Sequence, residues 1–190
     1  GSQLVLNKNT SISYATDFKT NRKVEIKSGE VFFDVAKDRS HPFAIDVSEV
    51  NVEVVGTSFN IKKVKNTVEV IVESGIVKVS RGKQQLTLTR GESIFLSDEK
   101  ELIKTQTEDE LYNYYRTGVF VAKNTSLPKL ANILGEAYGT KITVSNEARK
   151  DNIFTTLPLK YSLEQNLETI CKTLDLKMQR NQNGILLSKK

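Results

Sequence analysis

Apolar positions alternate along much of the chain. Phe43, Ile45 and Val47 fall on one strand face with Ala44 and Asp46 on the other, and Val52 and Val54 fall opposite Asn51 and Glu53. After Gly56-Thr57 the alternation restarts, with Phe59 and Ile61 inward and Ser58, Asn60 and Lys62 outward. A period of two with one wet face is the pattern of antiparallel strands half buried on a core. An isolated glycine in such a run signals a bulge or a close backbone approach, so Gly56 is expected to mark a corner.

The same pattern extends over the first half. It predicts strands at 4–6, 11–14, 23–26, 31–35, 43–47, 51–55, 58–64, 67–72, 76–80, 85–88 and 93–96. Turn signals fall between them at Asn7-Lys8-Asn9, Ser28-Gly29, Lys65-Asn66, Ser74-Gly75, Arg81-Gly82 and Arg90-Gly91. Many short, closely spaced strands predict a mainly β domain over 1–97, a sandwich or a solenoid-like stack of twisted sheets. Ser28-Gly29, Ser74-Gly75 and Arg90-Gly91 each precede an apolar strand, a weak internal echo.

Composition shifts after Leu96. Residues 98–117 are expected to be a linker, polar and acidic at first and ending in an aromatic knot of Tyr112, Tyr114 and Tyr115 beside Arg116. From Gly118 the chain repeats itself, Ser126-Leu127 and Ser162-Leu163 standing 36 residues apart. Each repeat reads strand, helix, strand. Leu127, Leu130, Ala131, Leu134 and Tyr138 form a helical face between an N-cap at Ser126 and a stop at Gly139. Leu163, Leu167, Ile170, Cys171 and Leu174 form the second, with Ser162 and Gln165 as a capping box. Strands are expected at 141–144 and 176–180, and a last hairpin turns at Asn183-Gly184. Residues 118–190 are thus expected to be a small α+β domain of two βαβ-type repeats, one mixed sheet with both helices on one face.

Composition narrows the function classes. The 190 residues are 38% hydrophobic, enough for real cores. Twenty-eight Lys and Arg against 23 Asp and Glu leave a charge of +5, and the lysines are scattered, which argues for solvated surface and against a nucleic-acid face. One cysteine allows no intrachain disulfide, and Cys171 reads as core. No run approaches the ~18 apolar residues of a membrane span. Gly1-Ser2 without Met reads as a remnant of cloning, so the chain is expected to be a fragment. His41, the sole histidine, has no second ligand beside it and no recognisable nucleophile. Glu108-Asp109-Glu110 reads as a charge run in the linker rather than a catalytic carboxylate pair. With no phosphate loop, metal-ligand spacing or nucleophile elbow, the expectation is a protein without catalysis, cofactor or metal.

Four segments carry a resemblance. Gly29-Glu30-Val31-Phe32-Phe33-Asp34-Val35, Pro42-Phe43, Val54-Val55-Gly56-Thr57-Ser58-Phe59-Asn60 and Glu73-Ser74-Gly75-Ile76-Val77 follow in order G-E-x-x-F-x-V, R-P-F, G-T-x-F-N and E-G-x-V, the last departing at Ser74. The first half thereby resembles the FecR-type periplasmic domain of bacterial anti-sigma factors. The second half is similar to the domain that follows it in Bacteroidetes-type members, related to the secretin and TonB short N-terminal (STN) fold. His41 stands where that family usually has Arg, and its tryptophan near the junction is absent.

The resemblance implies a transmembrane anti-sigma factor. Its cytoplasmic domain, absent here, would hold a sigma factor. One inner-membrane helix, also absent, would lead to this periplasmic region. That region would receive a signal from the signalling domain of an outer-membrane TonB-dependent transporter, and proteolysis would release the sigma factor. An exposed strand edge is a template for another chain, so the candidate partner-binding residues are Ile153, Thr155 and Leu157 on one edge strand, with Tyr112, Tyr114 and Tyr115. The alternative is a periplasmic glycan-binding or scaffold module, with Tyr14, Phe32, Phe95 and Tyr112 as the aromatic surface.

Overall fold

The structure is a computed structural model that describes residues 1–18, 20–97 and 101–190. It divides into two compact units, Gly1–Thr107 and Glu108–Lys190. Part of the expected linker, residues 98–100, lies outside the described residues. The rest of that stretch is structured: Lys104–Gln106 is a strand of the first unit, and Leu111–Asn113 and Tyr114–Thr117 are helical turns of the second.

The first unit is all β. Its strands are β1 (Gln3–Leu6), β2 (Ser11–Tyr14), β3 (Lys23–Asp34), β4 (Phe43–Val47), β5 (Val50–Val54), β6 (Ser58–Val64), β7 (Thr67–Ser74), β8 (Ile76–Arg81), β9 (Gln84–Thr89), β10 (Glu92–Leu96) and β11 (Lys104–Gln106). They pair in the order β11-β10-β7-β6-β3-β4-β5-β8-β9, with β1 and β2 also on β3. Every pairing is antiparallel except β3 with β4. The alternation in sequence is the alternation in burial: Phe43, Ile45, Val47, Val52, Val54, Phe59 and Ile61 are all in the core. Phe33 stacks on Phe59 at 5.0 Å and meets Phe43 edge-on at 6.0 Å. Each such side chain contributes about 1.5–3 kcal/mol by leaving water.

Two expected strands, 23–26 and 31–35, are one. Ser28-Gly29 is not a turn but a bend inside β3. Gly29 has φ +95, and a Cβ there would lie 2.5 Å from the Thr10 Cα, so only glycine fits. The bend is where β3 changes partners. Its first half pairs with β2 and β4, its second with β1 and β6. Next to it, Glu30 is buried among amides: Asn60 Nδ2 donates to Oε1 at 2.8 Å and Asn7 Nδ2 to Oε2 at 2.9 Å. Gly56 is a close backbone approach, with a Cβ there 2.8 Å from the Lys37 Cα.

The second unit holds α1 (Tyr114–Thr117), β12 (Val119–Ser126), α2 (Leu127–Tyr138), β13 (Ile142–Val144), β14 (Asn152–Pro158), α3 (Leu163–Leu174), β15 (Leu176–Asn181) and β16 (Gly184–Lys189). The repeat is real, but the single mixed sheet is not. β12 and β14 form one antiparallel pair, and β13-β16-β15 form a separate sheet with β13 parallel to β16. Both helices touch a strand of each sheet, α2 on β12 and β13, α3 on β14 and β15. Helical faces apolar over Leu127, Leu130 and Leu134, and over Leu163, Leu167 and Ile170, supply the core. Ser162 and Gln165 make the capping box, whereas Ser126 makes no side-chain cap and the Leu127 N–H donates instead to the Asp151 carbonyl. Gly139 ends α2 in the left-handed region.

Asn60→Ala removes one of the amide donors to the buried Glu30 carboxylate. It is expected to cost about 1–3 kcal/mol, the penalty for stranding a buried acceptor. Urea unfolding followed by far-ultraviolet circular dichroism checks this, and a change below about 0.5 kcal/mol would show that the node carries no stability.

Candidate interaction surfaces

The aromatic knot divides. Tyr114 is only 4% exposed and stacks on Phe120 at 4.8 Å, so its ring belongs to the second unit's core. Tyr115 packs edge-on against Tyr114 at 5.9 Å and is half-buried, as is Tyr112. Stacking and burial hold the Tyr114 ring in that core.

Strand β14 also divides by face. Ile153 and Leu157 point into the core, and Thr155 is half-buried. The outward side chains are Phe154, 71% exposed, and Thr156, which stands opposite the half-buried Val121 of β12. β14 pairs with β12 along one edge only, and among the described residues no strand covers the other. Among the described residues the strand therefore has one edge that no strand pairs and one exposed aromatic side chain, Phe154, with Ile153 and Leu157 holding it in place from behind. Pattern reading named the strand but placed weight on its inward side chains. The period-two rule carries the signal for Phe154, as the residue between Ile153 and Thr155 on the opposite face.

Asp109 is buried, not part of a solvated charge run. Its Oδ2 accepts from Lys129 Nζ at 2.7 Å and from Thr125 Oγ1 at 3.2 Å, and its Oδ1 accepts from the Leu111 N–H. The neighbouring Glu110 pairs with Lys123. Between Ala122 and Thr125 the β12–β14 register shifts, and Asn124 takes φ 51 there. The bulge turns the Thr125 side chain inward to meet Asp109.

A second internal node joins the repeats. Asn166, fully buried on α3, donates from Nδ2 to Tyr138 Oη at 2.9 Å and to the Pro158 carbonyl at 3.0 Å. The Tyr138 hydroxyl donates to the Leu159 and Tyr161 carbonyls. Burial pushes the Tyr138 phenol above its ordinary range, a shift the Asn166 amide partly offsets. Burial likewise raises the Cys171 thiol, which sits half-buried beside the core. It holds less of the reactive thiolate than an exposed cysteine would. Among the described residues no three His, Cys, Asp or Glu side chains gather as a metal site. The His41 ring meets Asp38, whose carboxyl its hydrogen bond holds below the usual range, and the His41 carbonyl accepts from Arg22. No helix among the described residues is long and apolar enough to cross a membrane.

The described residues make a β unit followed by a two-sheet α/β unit. The comparisons agree with that architecture. The FecR protein family matches residues 1–78, and the FecR C-terminal family matches 119–187. The chain belongs to the FecR family. Two crystal structures of a candidate anti-sigma factor from Parabacteroides distasonis, at 1.65 and 2.50 Å resolution, are similar to it over its whole length. Both share 26% identity, covering 100% of this chain and 91% of that one, with TM-scores of 0.80 and 0.78. No curated protein matches the chain.

Asp109→Ala strips the partners from Lys129 and Thr125 and is expected to destabilise the second unit by about 1.5–3 kcal/mol, the range for hydrogen bonds to a charged group. Tyrosine fluorescence in urea reads this unit, because every tyrosine but Tyr14 lies in it. An unchanged midpoint would reduce Asp109 to a surface charge.

Proposed function

We propose that this chain is the periplasmic signal-receiving region of a transmembrane anti-sigma factor. It takes its signal by binding the small signalling domain of an outer-membrane TonB-dependent transporter, and thereby governs release of the sigma factor held by a cytoplasmic domain. The observation that carries the reading is the tandem match of both FecR families in one chain, in the order the architecture requires. Similarity to the Parabacteroides candidate anti-sigma factor over the full length supports it. The inner membrane would be reached through a helix upstream of this region. The role is regulatory, and its work is recognition rather than bond-making.

Within that reading the second unit is the receiver. The open edge of β14 over Ile153–Leu157 supplies main-chain hydrogen bonds to an added strand, and Phe154 supplies an aromatic anchor beside it. The half-buried Tyr112 is the member of the aromatic knot that keeps no place in the core cluster. The glycan reading finds less support. Its exposed rings, Tyr14 and Phe95, sit on β2 and β10, which are not neighbours in the sheet, so they make no single platform.

Titration calorimetry of the chain with the signalling domain of a transporter encoded beside it is expected to give a micromolar Kd. Phe154→Asp is expected to weaken it about tenfold, or about 1.4 kcal/mol, without lowering the unfolding midpoint. Absence of saturable binding at ~100 μM would sink the transporter reading, since transient signalling contacts reach that strength.

A further inference from the structure

The first unit carries a cavity unconnected with β14, at the corner where β5 runs into β6 and β7 into β8. Val54 to Thr57 make one wall, Gly75 and Ile76 another, and Lys37, Arg39 and Lys78 surround it. Its volume is about 450 Å³. That lies in the lower part of the range of roughly 300–1,000 Å³ typical of small-ligand sites.

Three features of the corner are independent of one another. The cationic wall is placed by backbone: the Val35 N–H donates to the Thr57 carbonyl and the Asp38 N–H to the Val55 carbonyl, which lays the segment after β3 across the corner. Lys37 and Arg39 find no acidic partner among the described residues, and Glu53, 4.0 Å from Lys78, is the sole carboxylate lining the cavity. The floor is apolar, from Val54, Val55 and Ile76, the last of these 57% exposed although aliphatic. The Thr57 side chain, 4% exposed, packs its methyl toward Gly75 and leaves its hydroxyl without a hydrogen-bond partner. A buried hydroxyl with no partner costs stability.

From these the geometry points to a binding site for a short apolar group ending in a carboxylate. The apolar body covers Ile76 and the valines, and the charge sits among Lys37, Arg39 and Lys78. A phosphate would call for several converging backbone N–H groups and would leave the apolar floor wet. The same chemistry is found in the C-terminal residue of a peptide and in a free branched-chain acid. This site is independent of the transporter reading, since it lies in the other unit.

The test uses the full chain, labelled with nitrogen-15, and four probes: acetyl-Gly-Leu with a free carboxylate, its C-terminal amide, 4-methylpentanoate and inorganic phosphate. The free-acid peptide, 4-methylpentanoate, or both are expected to shift the Thr57, Gly75 and Ile76 amide signals saturably, with Kd on the order of 1 mM. The tighter of the two identifies the source. The amide is expected to bind about tenfold more weakly or not at all, for want of the charge-assisted bonds. Thr57→Val is expected to leave the unfolding midpoint equal or higher, because it removes a buried hydroxyl that the protein leaves unpaired. Arg39→Gln weakens binding and flattens its salt dependence. The site is refuted if the amide binds as well as the acid, if phosphate gives the same shifts, if Arg39→Gln binds normally, or if neither acid saturates by about 20 mM.

Discussion

β3 serves two halves of one sheet, and the handover falls on a single residue. Up to Ser28 the strand pairs with β2 and β4, and from Gly29 onward with β6 and β1. An L-residue at Gly29 would meet both a positive φ and the Thr10 backbone. The bend is held from both sides. Thr10 Oγ1 accepts from the Glu30 N–H and donates to the Glu30 carbonyl, and the Glu30 carboxylate takes amide donors from Asn7 and Asn60. The G-E and F-N pairs that carry the family resemblance are therefore one structural device. Glycine permits the bend, and the acid and the asparagine lock the neighbouring strand to it.

The other crossings follow from that bend. Once β3 has turned, β5 must pass to β6, and β7 to β8, across the same gap between sheet halves. The two passages lie against each other. A Cβ at Gly75 would fall 2.6 Å from the Thr57 methyl and 2.9 Å from the Gly56 carbonyl oxygen. The chain there is too tightly folded on itself to pair every polar group, and the Thr57 hydroxyl is the one left over. The cavity beside it is a consequence of closing a β unit by corners rather than by a continuous barrel.

Local signals were legible where they depended on neighbours in sequence. Alternation placed Phe43, Ile45, Val47, Val52, Val54, Phe59 and Ile61 on the core face, but Asn60, expected outward, is buried against Glu30. The capping box at Ser162 and the glycine stop at Gly139 fixed both helices. Signals failed where the decisive partner is distant. Ser28-Gly29 has the same positive φ in a turn as in a bent strand, and only the four strands gathered on β3 distinguish them. Asp109 looks like one of three acids in a row until Thr125 and Lys129 are brought to it by the β12 bulge and the first turn of α2. Asn166 stands among the apolar positions of α3, where no sequence pattern singles it out, yet it is the buried amide that ties α3 to Tyr138. Two sheets replace the expected one because β13 takes β16, from the end of the chain, as a parallel partner. No periodicity can announce that pairing.

The covalent joint between the units is short, and anchored on both sides. The Thr107 N–H donates to the Gly91 carbonyl, which ends the first unit in its own hydrogen-bond network. Two residues on, Asp109 is buried in the second unit by Lys129 and Thr125. Glu108 alone lies between these anchors, exposed. A long polar linker absorbs displacement in its own conformational freedom, whereas one free residue offers two soft dihedrals. β12, the strand that pairs with β14, carries Thr125, and Thr125 bonds Asp109 two residues past the last hydrogen bond of the first unit.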